Sequence, residues 1–203
     1  MRVHGDKILR RRAKYRKKKR YTSYKKELVE DFQNMCGYCG KDFNYMRCEH
    51  QIDHLIPVDA CKKFKQENMI SEYSNLVYSC RVCNRNKWND WPLDNINDIH
   101  DGQKGYIDPA TEEYDTHLKR NSNGEIIPLT SLGNYMYDIF KFEYRLTSLI
   151  WKATCIKKEI EILKKKIDKL EGEERTEYLE KFYLFQTQFD NMTNILKEKR
   201  ELI

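Results

Sequence analysis

Apolar residues recur through the C-terminal third of the chain with a period that suits a helix. Leu149, Ala153, Ile156, Ile160, Leu163, Ile167 and Leu170 fall in steps of four and three. After the polar stretch "EGEE" the same steps resume at Tyr178, Phe182, Phe185, Phe189, Met192 and Leu196. Such steps keep one helix face apolar, and the glycine-containing break predicts an αα-hairpin with coiled-coil-like packing. Two helices alone leave part of that face uncovered. A third is expected from Tyr135–Thr147, from a second subunit or from another protein.

Upstream the pattern shortens. A brief amphipathic helix is expected around Tyr24–Asn34. The stretch "WPLDNINDIHDGQKGYIDPATEEYDTHLKRNSNGEIIPLT" is rich in turn formers, with strand candidates at "GYID" and "EIIPL" near Asn123-Gly124. Three parts follow: a basic arm and short helix over 1–30, a cysteine-containing domain over 31–130, and a helical region over 131–203.

Charge sharpens this division. The net charge is +6, yet "RRRAKYRKKKR" holds nine cations and no acid: Arg10, Arg11, Arg12, Lys14, Arg16, Lys17, Lys18, Lys19 and Arg20. Removing those nine from +6 leaves −3 for the remainder. A concentrated cationic arm suits contact with nucleic-acid phosphates, and Tyr15 and Tyr21 add stacking faces. A solvated tail is the plainer alternative. No apolar run approaches the roughly 18–20 residues that span a bilayer, so no membrane contact is expected. The basic start has no apolar segment behind it, so a cytoplasmic location is expected.

Seven cysteines without a secretory signal argue against a disulfide framework. Four form two CxxC pairs, Cys36/Cys39 in "CGYC" and Cys80/Cys83 in "CRVC". Two such knuckles complete a closed tetrahedral site for a structural Zn²⁺, with Gly37 and Gly40 easing the first turn. Cys48, Cys61 and Cys155 have no paired spacing and read as small core residues.

Between and beyond the knuckles lie "IDHLIP" and "NLVYSCRVCNRNK". Taken together, the segment from Met35 to Trp88 resembles the zinc-knuckle branch of the HNH endonucleases, which have the ββα-metal fold. The resemblance implies an α+β architecture: a zinc-stapled ββα-metal nuclease core followed by the C-terminal α-helical hairpin. It implies that His54 is the general base, that Asp53 is a metal-binding carboxylate, and that Asn75 orients the histidine. Asn84 stands where many members have a third histidine, which makes this chain an HNN variant. Its neutral amide oxygen suits a hard catalytic ion such as Mg²⁺ or Mn²⁺.

Independent chemistry agrees. Phosphodiester hydrolysis needs a base, a cation for developing charge and a stabilised leaving oxygen. Lys87, three residues beyond Asn84, shares its helix face and is expected to hold a substrate phosphate, with Arg85 less directly placed. His50 reads as structural or exposed, and Trp88 and Trp91 as packing residues. The implied partner is DNA. A small HNH chain with added helices is also similar in layout to effectors of bacterial anti-phage systems, such as the Septu-type HNH component that pairs with an ATPase. The chain has no P-loop, so ATP dependence would come from a partner met through the C-terminal helices; a homo-oligomer is the other use for them. The rival classes are a non-catalytic zinc module that binds nucleic acid and an assembly subunit.

Overall fold

The computed structural model describes residues 1–202. After an extended N-terminal arm come α1 (Lys25–Asp31), β1 (His50–His54), α2 (Val58–Lys63), β2 (Leu76–Cys80) and α3 (Arg81–Lys87). The short α4 (Tyr114–His117) leads into β3 (Leu118–Arg120) and β4 (Ile126–Pro128), and then come α5 (Ser131–Ile139), α6 (Thr147–Ile167) and α7 (Gly172–Glu198). Strands β1 and β2 are antiparallel, with Asp53 opposite Val77 and His54 opposite Leu76. Helix α3 starts at the residue after β2 and packs on both strands. This β–β–α unit is the α+β core that the sequence motifs imply. Among the described residues no helix is long and apolar enough to cross a membrane.

One apolar core joins the arm to the domain. It includes Val3 and Leu9 from the arm, Leu28 and Phe32 of the first helical segment, Leu76 and Val77 of β2, and Phe140 and Phe142 beyond α5. The Asn-Gly turn forms as expected, but its strands are β3 and β4. "GYID" forms no strand beyond a single bridge at Gly105, because Tyr106 and Ile107 are drawn fully into the core. The helix expected over Tyr135–Thr147 is likewise displaced. Helix α5 ends at Ile139, and Lys141 takes a left-handed conformation (φ 54°) that turns the chain before α6.

The C-terminal helical pair is present as α6 and α7. Its open end sits on the domain through Ile150, Ala153 and Leu196, packed with Met46 and Tyr45. Farther out, α7 buries little: Phe182, Phe185 and Phe189 are half-exposed, and Tyr183 and Leu184 are exposed. No third helix covers this stretch among the described residues.

Four separate segments are tied by Arg120. Its guanidinium is buried and donates to the carbonyls of Val3 (2.8 Å), Cys39 (2.7 Å), Gly124 (2.6 Å) and Thr147 (3.3 Å) while lying over Trp151. Burial pulls its pKa down to about 10, which still leaves it charged at neutral pH. Replacing Arg120 with Leu orphans these acceptors, and each costs about 1–3 kcal/mol when left unpaired. We expect a loss on the order of 4 kcal/mol in denaturant unfolding, with Arg120→Lys recovering only part, because one ammonium cannot match the planar fork.

Candidate active site and metal centre

The two knuckles converge. The Sγ atoms of Cys36, Cys39, Cys80 and Cys83 all lie within 4.8 Å of one another and all four residues are buried. Zinc–sulfur bonds of about 2.3 Å in a tetrahedron require sulfur–sulfur edges of about 3.8 Å. Cys39 and Cys80 are 3.8 Å apart, so this donor set fits Zn²⁺. Backbone bonds set the sulfurs in place. Gly37 N–H reaches the carbonyl of Tyr78 (2.8 Å), joining the first knuckle to β2, and Gly40 N–H closes the turn on Cys36 (2.9 Å). Gly40 has φ +67°, and a Cβ there would lie 2.4 Å from the Val3 carbonyl, so glycine is needed. Cys80 caps α3, its sulfur accepting from Cys83 N–H (3.5 Å).

Four thiolates around one Zn²⁺ would leave a double negative charge in the core. Two buried cations are placed to balance it. Arg145 Nη1 lies 3.1 Å from Cys83 Sγ, and Lys41 is fully buried nearby. Burial opposes both charges, but the sulfurs of Cys80 and Cys39, with Cys83 for Arg145, hold both pKa values up. Glu201, just beyond the C-terminal end of α7, pairs with both (Arg145 3.1 Å, Lys41 3.8 Å). His4, for which the sequence offered no companion, is buried and bonds the Gly37 carbonyl (2.6 Å); burial lowers its pKa to about 4, so it is neutral and donates.

The purified protein should therefore carry about one zinc per chain by elemental analysis. Serine at Cys36, Cys39, Cys80 or Cys83 should cost far more thermal stability than serine at Cys48 or Cys155, which lie outside the cluster.

A cavity of about 420 Å³ lies beside the β–β–α unit, lined by Asp53, His54, Asn84, Gln51, Tyr21 and Trp88 among others. His54 ends β1 and is mostly buried. Its Nε2 lies 2.9 Å from the Ile70 carbonyl, so Nε2 carries the hydrogen and Nδ1 keeps its lone pair. Burial, above all, holds its pKa below the ordinary value, so the ring is neutral at pH 7. Tyr21 packs edge-on against it at 4.6 Å. The carboxylate of Asp53 accepts from His54 N–H (2.8 Å) and from Tyr38 Oη (2.6 Å).

Asn75 does not touch the imidazole. It accepts from Ile56 N–H (2.7 Å) and donates to the carbonyls of Ile56 and Met69 (both 3.1 Å), fixing the loops on either side of His54. Met69 precedes the residue that holds His54 Nε2. Asn84 sits in the second turn of α3 and donates its amide to Gln51, leaving its own oxygen free. Gln51 was not singled out from sequence, although strand alternation places it on the face of Asp53. Asp53 and Asn84 both line this cavity.

Lys87 departs from expectation. It does share a face with Asn84, but it is fully buried, donates to the His54 carbonyl (2.7 Å) and lies 3.7 Å from Asp53. Burial lowers its pKa, opposed by Asp53 and Asp90. A side chain so enclosed cannot reach a substrate phosphate. Lys87→Met should cost roughly 3–5 kcal/mol of stability by stranding a buried carboxylate, and should leave the salt dependence of DNA binding unchanged.

The arm also departs from a free cationic tail. Arg10 pairs with Glu112, Arg11 with Asp108, Arg12 with Glu30 and Asp31, Lys17 with Glu72 and Lys18 with Glu27. Lys14, Arg16, Lys19 and Arg20 are exposed and lack acidic partners among the described residues. Tyr15 packs on Tyr24 and Tyr73 and bonds Glu72, so it offers no stacking face. Arg85 lines the cavity, and with Arg81, Lys197 and Arg200 it lines a second of about 380 Å³. Lys197 and Arg200, at the end of the hairpin, carried no sequence signal for this role. His50 is packed between Phe43 and Tyr78. Trp91 is partly covered, whereas Trp88, expected to pack, is 72% exposed.

A two-stranded hairpin, a following helix and a metal knuckle define the ββα-metal class of nuclease cores. Residues 36–90 match the family model described as HNH endonuclease, so this segment is similar to HNH endonuclease domains. At the family level the match supports a metal-dependent nuclease. Nothing among the curated proteins or the solved structures matches the chain.

Proposed function

We propose that the protein is a DNA endonuclease in which neutral His54 takes a proton from the attacking water at Nδ1. The observation that carries this reading is the convergence of His54, Asp53 and Asn84 on one cavity, with His54 Nε2 committed to the Ile70 carbonyl. A lone histidine buried to this degree is normally a packing residue. Here one nitrogen is anchored, the other is free and the ring borders open space, as a positioned base requires. Asp53 and the Asn84 oxygen would hold the Mg²⁺ or Mn²⁺ ion. When bound, that ion supplies Lewis acidity at the phosphate and charge for the leaving oxygen. Asn75 positions the base through the loops at Ile56 and Met69–Ile70. Lys87 tightens the same arrangement from below by gripping the His54 carbonyl and balancing Asp53.

DNA contact falls to the cations that remain available: Arg85, Lys197 and Arg200 around the second cavity, where Arg81 is paired with Glu49 (2.7 Å), and Lys14, Arg16, Lys19 and Arg20 on the arm. Their exposure supports a backbone contact that does not depend on sequence. The layout further supports a role as the nuclease effector of a cytoplasmic bacterial anti-phage defence system. In that role the half-exposed face of α7 would meet a partner, an ATPase or a second copy.

The test is nicking of supercoiled plasmid with Mg²⁺ or Mn²⁺. His54→Ala should lower the rate about 10²–10⁴-fold while zinc content and DNA affinity hold. Asn84→Ala should be partly rescued by high Mn²⁺, and Asn75→Ala should be milder because it misplaces the base without removing it. Normal nicking by His54→Ala under both ions would sink this reading and favour a non-catalytic nucleic-acid-binding module.

A further inference from the structure

Trp88 follows the last residue of α3, four residues after Asn84. Its backbone has φ 48° and ψ −131°, and Asp90 N–H bonds the Lys87 carbonyl (3.1 Å). Lys87–Asp90 is thus a type II′ turn with Trp88 at the position where positive φ favours glycine. Tryptophan is a costly residue there, and the fold does not use it for burial. Of the large apolar side chains that are exposed among the described residues, Trp88 alone borders the cavity that holds His54.

The turn that presents it is fixed at both ends. Lys87 is locked to His54 and Asp53. Asp90 accepts from Tyr106 (2.6 Å) and Tyr135, and Asn89 bonds Asp59. The indole is therefore displayed by a rigid support rather than by a loose loop. A broad aromatic face held in solvent at the rim of a phosphodiester-cleaving cavity, beside Arg85, has one matching ligand chemistry: the flat π-face of a nucleobase. Strain retained at such a place points to use.

We infer that Trp88 stacks on a nucleobase adjoining the phosphodiester to be cut, an unstacked base from a single strand or from a duplex opened at that step. This rests on the nuclease reading for the location of the cut, while the stacking itself is read out by binding alone.

The experiment titrates the His54→Ala protein with a single-stranded oligonucleotide, and separately with its duplex, without added magnesium or manganese. Indole emission should be quenched, and the quench should vanish in Trp88→Phe, which leaves Trp91 and Trp151 in place but keeps a stacking ring and most of the affinity. Trp88→Gly should bind about five- to a hundredfold more weakly, yet melt at the same or a higher temperature with its zinc retained, because glycine relieves the turn. A quench by either nucleic acid supports the assignment. Quenching by neither, or a Trp88→Gly protein that binds both as tightly as its parent, overturns it. Should the wild-type chain nick nothing while the Trp88 quench stands, the catalytic reading fails and the stacking site survives. Should it nick, with Trp88→Gly binding and nicking as wild type does, the stacking site alone fails.

Discussion

Closure of four sulfurs into one tetrahedron is the constraint on which the rest of this molecule hangs. The first knuckle comes from a loop after α1, and the second joins β2 to α3. Bringing them together fixes where α3 begins, and Asn84 is the residue after the last sulfur ligand. The strength of such a site, an apparent 10–16 kcal/mol at neutral pH for small zinc folds, exceeds what this short two-stranded sheet can offer alone. The metal knuckle thus sets the register of the cavity, although none of its ligands borders that cavity.

Negative charge on metal-bound sulfurs would have to be balanced inside the core, and the core holds four buried cations, two of them beside the knuckle. Lys41 and Arg145 face the sulfurs, while Arg120 gathers carbonyls from the knuckle, the arm, the β3–β4 turn and the start of α6. Lys87 repeats the device beneath the cavity that holds His54, against Asp53. A chain with so many charged residues can bury these four because each finds several oxygen or sulfur partners; an isolated ammonium or guanidinium could not be enclosed in this way.

The core was legible where chemistry demands fixed spacing. CxxC pairs, the Asp53-His54 step and the period of the hairpin are local patterns, and each corresponds to a local geometry. What escaped notice was decided by long-range packing. Lys87 lies on the face that its spacing predicts, but spacing does not say whether that face meets solvent or Asp53. Gln51, His4 and Arg200 acquire meaning only from neighbours far away in the chain. "GYID" has strand composition, yet Tyr106 finds Asp90 as its hydroxyl partner and is better buried than paired. The arm looked free because its acidic partners, from Glu27 to Glu112, are scattered through the sequence. Trp88 differs for the opposite reason: composition says that tryptophan packs, whereas its turn leaves it 72% exposed.

The hairpin's attachment carries a mechanical meaning. A helix of 27 residues is about 40 Å long, and α7 ends where Glu201 grips Arg145 and Lys41. Arg145 in turn touches Cys83, which adjoins Asn84. The hairpin is thus anchored at the four-cysteine knuckle, and an ion pair and a sulfur connect its root to within one residue of the cavity that holds His54.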